Sequence, residues 1–157
     1  MVYISDITNA KTGHPRLDRE HLAISRQINV VADHVVNGHW AEAQAEIPKL
    51  RALADDHFVR EESMMSRKKY PYAAYNEHVV AHRMFGFLLG ELSAHIGSHS
   101  TSALGALADM SIHFIEMIEI TDKRFLAWAD RRSGASGASG AVRTAATPSV
   151  EAAERSG

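Results

Sequence analysis

Cysteine is absent from all 157 residues. That excludes disulfide scaffolds, thiolate metal sites and thiol nucleophiles, and leaves the redox compartment undecided. Long apolar runs are absent as well: nothing approaches the roughly 18 continuous apolar residues of a membrane span. Charge of one sign is not in excess, with 17 Lys and Arg against 19 Asp and Glu and a net charge of -2. Neither a nucleic-acid partner nor a membrane surface is expected from that balance. The opening stretch MVYISDITNAKTGHP has no basic start followed by an apolar segment, so no secretory leader is expected, and the cytoplasm is the expected location. Strand-like alternation is missing throughout. What the chain has instead is 45% apolar residues, enough for one core, and ten His.

From Ser133 the sequence reads SGASGASGAVRTAATPSVEAAERSG. It contains no aromatic residue and little to bury, so residues 133–157 are expected to form a flexible tail. Residues 1–132 read as one helical domain. In Leu17 to Val36, His21, Ile24, Ile28, Val31 and Val35 fall at steps of three and four, one stripe of a helix that Asn37-Gly38 ends. A second helix is expected from Trp40 to Lys69, with Leu50, Leu53, His57, Glu61 and Met64 inward. Pro48 either kinks it or marks its true first turn. A third runs from Ala73 to Ile96 on Tyr75, His78, His82, Phe85, Leu89, Leu92 and Ile96. A fourth runs from Thr101 to Arg131 on Leu107, Met110, Phe114, Met117, Thr121, Phe125 and Trp128. Four long helices with short connections predict an all-α, antiparallel up-down-up-down four-helix bundle.

The inward stripes carry His21, His57, Glu61, His78 and His82 where a bundle wants aliphatic residues. Unpaired buried polar groups are costly, so these must satisfy one another or bind something. His57 and Glu61, and likewise His78 and His82, are four residues apart and project from one helix face. Asp122 lies one step past the inward Thr121. A single inward His is usually a hydrogen-bonded core residue, but two such pairs and a lone His on three helices point to a metal site. Imidazole and carboxylate without thiolate suit iron, manganese or zinc, and two carboxylates among several His suggest two ions bridged by them. His14, His34, His39, His95 and His99 are expected at the surface or at helix ends; His95 and His99 could form a surface metal site, but Gly97 between them weakens the helix.

Four segments carry a family resemblance: LDREHLAISRQIN at 17–29, HFVREE at 57–62, YPYAAYNEHVVAH at 70–82 and FIEMIEITDKRF at 114–125. HFxxEE followed by HxxxH resembles the hemerythrin family, in particular its bacterial single-domain members, over about residues 15–130. The resemblance implies a four-helix bundle around a non-haem di-iron centre with an oxo or hydroxo bridge, and reversible binding of dioxygen rather than enzymatic turnover. It implies His21 and His57 as ligands of the iron that keeps an open position, His78 and His82 as ligands of the other, and Glu61 and Asp122 as bridging carboxylates. It leaves open mononuclear, zinc or manganese loading. It also leaves open a sensor of oxygen, redox state or metal acting through a separate partner, and a redox enzyme acting on peroxide or nitric oxide.

The fourth helix departs from the family pattern. The family has His five residues before the Asp, and that position here is Met117. Three readings stand: Met117 ligates through sulfur, His113 one turn earlier replaces the missing imidazole, or the slot is apolar and that iron is under-coordinated. Ile24, Ile28, Phe58 and Phe114, next to ligand positions, are candidate walls of an oxygen pocket, or ordinary core.

Overall fold

The computed structural model describes residues 11–138. Its elements are α1 (Pro15–Val36), α2 (Trp40–Arg67), α3 (Tyr72–Gly97), α4 (Ala103–Glu116), a π-helical turn (Met117–Asp122) and α5 (Lys123–Ala138). The last three are continuous, so the chain forms four rods, and each rod packs on the next, with the first also against the last. This is the expected all-α bundle.

All three connections are built the same way. Gly38, Lys69 and His99 take positive φ of 69°, 57° and 52°. Each donates its N–H to the carbonyl three residues back, and the following residue donates to the carbonyl five back: His39 to His34, Tyr70 to Met65, Ser100 to His95. That is the Schellman arrangement, which satisfies the last carbonyls of a helix and reverses the chain in a few residues. Glycine takes the left-handed position without cost; Lys69 and His99 do not. The start of α1 is clamped too. His14 Nδ1 accepts the Leu17 N–H at 3.4 Å, and Pro15 opens the helix. Asp18 accepts from the Thr12 N–H, the Thr12 hydroxyl and the Gly13 N–H at 2.8, 2.7 and 3.1 Å.

Pro48 lies inside a continuous α2 on its exposed side. There water can take the carbonyl that proline leaves without a donor, so the helix survives it. The buried line of α2 is Ile47, Leu50, Ala54, His57, Phe58, Glu61 and Met65; Leu53 is exposed and Met64 only half-buried, so the true stripe runs one residue beside the expected one there. Helix α5 continues past Ser133, whose hydroxyl donates to Ala129 O at 3.2 Å, as far as Ala138. The remainder of the expected tail, 139–157, lies outside the described residues.

The core is divided. A large apolar cluster runs from Val31, Val35, Leu92 and Ile96 to Ile24, Phe58, Phe85, Phe114 and Met117. A smaller one, of Leu17, Met65, Tyr70, Phe125, Leu126 and Ala129, fills the other end. Between them in sequence, on every rod, stand the buried polar residues. No helix among the described residues is long and apolar enough to cross a membrane.

Candidate metal centre

Each rod contributes to one buried polar layer: His21 from α1, His57 and Glu61 from α2, His78 and His82 from α3, and Asp122 from the π-helical turn. None is more than 4% exposed. The i,i+4 spacing places both members of each pair on one face, as expected. Asp122 needs a different device. On an α-helix five residues turn through about 500°, which would leave Met117 and Asp122 about 140° apart. Both are nevertheless buried, at 2% and 0%. The π-helical turn absorbs one extra residue and brings both inward, as such turns often do at functional sites. The Thr121 hydroxyl, donating to Met117 O at 2.7 Å, occupies a carbonyl within the widened turn.

Two groups of donor atoms result. Glu61, His78, His82 and Asp122 form one; His21, His57 and Asp122 form the other; in each group the atoms lie within 4.8 Å of one another. Asp122 joins them, with Oδ1 at 2.9 Å from His78 Nε2 and Oδ2 at 3.1 Å from His21 Nε2. Glu61 Oε2 faces the Nε2 atoms of His78, His82 and His57 at 3.3, 3.4 and 3.6 Å. The Nε2 atoms of His21 and His57 are 3.1 Å apart. Apart from the His21–His57 pair, short distances do not make aligned hydrogen bonds here: both Glu61 oxygens, Asp122 Oδ2, His78 Nε2 and His82 Nε2 have no hydrogen-bond partner among the described residues. Buried oxygens and nitrogens that converge in this way could hold a cation, and imidazole with carboxylate suits iron, manganese or zinc.

Electrostatics point the same way. Burial and the adjacent Asp122 carboxylate push Glu61 toward its neutral form, yet the imidazoles of His78 and His82 outweigh them and hold it below the ordinary value. Burial likewise raises Asp122, and the imidazoles of His21 and His78 bring it well below the usual carboxylate range. His78 is disfavoured as a cation by burial, but the two carboxylates push it up to about 9. In the free chain a proton on His78 therefore balances charge that a bound cation would balance more fully.

Two carboxylates outside the layer orient its histidines, and the sequence reading missed both. His57 Nδ1–H donates to Glu20 at 3.0 Å, and His82 Nδ1–H donates to Glu62 at 2.9 Å. Each bond fixes a tautomer in which Nε2 presents its lone pair to the layer. Glu20 is itself held by Arg60 at 2.7 Å and Arg16 at 3.2 Å. Although its own burial works against ionisation, the His57 hydrogen bond leads a set of contacts that lower it to about 2. Glu20 immediately precedes His21, and Glu62 is the second acid of HFVREE, but neither position says which histidine the acid reaches. In both cases the acid beside one layer residue reaches the histidine of the neighbouring helix.

Family comparison agrees with this geometry. The hemerythrin HHE cation-binding domain matches residues 12–129. The chain belongs to the hemerythrin family. No curated protein and no solved structure matches it. The matched span of this hemerythrin-family chain begins at the Thr12 clamp on Asp18 and ends with Ala129 of the smaller apolar cluster, so it takes in the whole polar layer.

Of the further candidates on the fourth rod, His113 stands apart. Its Nε2–H donates to Ala81 O at 2.8 Å, it is only half-buried, and it belongs to neither donor group. Met117 is packed in the large apolar cluster. The four candidate pocket residues, Ile24, Ile28, Phe58 and Phe114, all lie in that cluster. Phe58 stacks on His82 with ring centroids 4.1 Å apart, and Phe114 meets His21 edge-on at 6.1 Å. Phe85, on the same inward stripe of α3 as His78 and His82, joins them by contacting both phenylalanines. His99 stacks on Trp40 at the far end of the bundle, and among the described residues no third donor joins His95 and His99 there.

Proposed function

We propose that the chain binds dioxygen reversibly at a centre of two iron ions held by the polar layer. The observation that carries this reading is the pair of donor groups sharing Asp122, roofed on one side by phenylalanines. His21 and His57 would hold one ion, His78 and His82 the other, with Glu61 and Asp122 between them. Bound ferrous ions supply the electrons by which dioxygen is taken up and given back.

The protein's own residues do the rest. His57 and His82 are held in ligating orientation by Glu20 and Glu62, so little reorganisation accompanies loading. Ile24, Ile28, Phe58 and Phe114 keep water scarce around the layer. Proton delivery would turn a binding site toward reductive chemistry, and the surroundings offer little of it. Outside the layer, the buried polar residues among those described are Ser25, Ser111 and Thr121. Each donates its hydroxyl to a carbonyl of its own helix, at 2.6, 2.7 and 2.7 Å. That favours a carrier or store over an enzyme for peroxide or nitric oxide. A cytoplasmic setting belongs to the same proposal, because a reducing compartment keeps iron ferrous.

The test is elemental analysis of the purified chain followed by absorption spectra through cycles of air and argon. Two irons per chain and a spectrum that switches back on removing oxygen are expected. Zinc in place of iron, or a one-way oxidation that argon does not reverse, would remove the proposal.

A further inference from the structure

The fourth rod supplies fewer donors than its length inside the layer allows. Its inward residues there are Phe114, Met117, Ile118, Thr121 and Asp122. Phe114 and Ile118 have no donor atom. The Thr121 hydroxyl is engaged with Met117 O at 2.7 Å and lies 3.2 Å from Asp122 Oδ1. His113, the one imidazole of the segment, is turned to the carbonyl of Ala81 on α3. One carboxylate is therefore all this rod gives, while α1, α2 and α3 give four imidazoles and one carboxylate.

Dividing those donors leaves the two sides of the layer alike. The His78/His82 side has two imidazole nitrogens and an oxygen from each of Glu61 and Asp122. The His21/His57 side has two imidazole nitrogens and the other Asp122 oxygen, with Glu61 Oε2 3.6 Å from His57 Nε2. Iron in nitrogen and oxygen surroundings takes more donors than either side supplies, and leaves positions open where the protein provides only two His and carboxylate. Met117, buried in the π-helical turn that packs against α3, the helix of His78 and His82, carries an unbranched thioether instead. Sulfur of that kind is a soft partner for such an ion, and the side chain has enough free torsions to move aside for a small ligand where a branched or aromatic residue could not.

We propose that Met117 determines the ligand capacity of the centre: by withholding an imidazole it leaves an exchangeable position on the His78/His82 side as well as on the His21/His57 side. The centre then accepts two small anions per chain, one at each ion. This rests on the two-ion reading, and the experiment separates the two.

The full-length chain is loaded with iron and its metal content measured first. Fewer than two irons per chain defeats the two-ion reading, whatever Met117 does. With two irons present, the ferric protein is titrated with azide and the charge-transfer absorption is followed to saturation. Two azide ions per chain are expected for the wild type and for Met117→Leu, which keeps the volume and removes the sulfur. One is expected for Met117→His. A wild type that binds one azide overturns the proposal, and a second azide appearing only in Met117→Leu would identify the sulfur as a ligand. Two azides retained in a folded Met117→His also overturn it, since the position would then not face the centre. If Met117→His does not fold, the wild type and Met117→Leu decide the matter between them.

Discussion

The polar layer and the large apolar cluster beside it occupy the same bundle and are equally buried, yet they are stabilised in opposite ways. Leu50, Leu92, Ile96 and Phe114 are fully buried with nothing to satisfy, and their removal from water contributes directly to folding. His78, Glu61 and Asp122 are as deeply buried, and each brings atoms that find no hydrogen bond. Burial there is a cost until something else offsets it. The apolar cluster should therefore stabilise the fold unconditionally and the layer only when a cation fills it. A site made of groups that are unfavourable without their ligand couples folding to binding.

Stripping the metal should show the largest effect. A site saturated about 1,000-fold above its dissociation constant contributes ~4 kcal/mol. For a chain of this size that corresponds to a fall of about 8–16 °C in melting temperature on chelation. An unchanged melting temperature after verified metal removal would erase the distinction between the two regions. Next comes Leu92→Ala in the apolar cluster, expected to cost about 2–5 kcal/mol. Because that cost does not involve the layer, denaturant titrations should return the same loss with and without metal. A loss seen in only one state would mean the regions are not separable. Third is Glu20→Gln, which leaves the shape in place but replaces the carboxylate holding His57. Metal affinity should fall about 10–100-fold, and the metal-free protein should also melt somewhat below the wild type, because a carboxylate lowered in the folded state contributes stability at neutral pH. A competition titration with a chelating dye reads the first, and calorimetry the second.

The smallest effect belongs to Asp18, outside both regions. Partial burial raises its pKa, but hydrogen bonds from Thr12 and Gly13 outweigh this and lower it from its ordinary value. A carboxyl lowered in the folded state contributes stability above its unfolded pKa and loses it as pH falls through the folded one. Asp18→Asn should thus be slightly less stable at pH 7, by under about 1 kcal/mol, as for loss of a helix cap. That deficit should shrink as the two proteins are acidified below the ordinary aspartate range. Thermal melts at pH 7 and pH 3 that differ by the same amount would show that the clamp is not what titrates.

Much of this was legible in the sequence because side-chain periodicity is a local property. The 3–4 stripes of α1 and α3 place His21, His78 and His82 without any knowledge of the fold, and every aliphatic member of those two stripes is buried. On α2 the stripe drifts by a residue, because small Ala54 lies inward while bulky Leu53 sits at the rim. What the text could not show was anything that depends on two helices at once. Glu20 reads as a surface acid until α1 and α2 are packed together, and Phe85 as filler until Phe58 and Phe114 meet it. Met117 and Thr121 share a stripe at ordinary spacing, but Asp122 joins them in the interior because of a local widening of the backbone that side-chain types alone do not announce.

That widening has a consequence for how the gene for such a chain can vary. A rod that holds one residue beyond its regular count has two phases, one before Met117 and one after Asp122, and each is matched to a different half of the molecule. Deleting the outward-facing Ile120 would look harmless on a surface map. It would instead let the rod relax to a single phase, so that either Phe114 and Leu107 or Phe125 and Ala129 swing off their partners, and Asp122 loses the joint position between the two sets of imidazoles. Substitutions at this surface position are cheap, whereas changes in length are not.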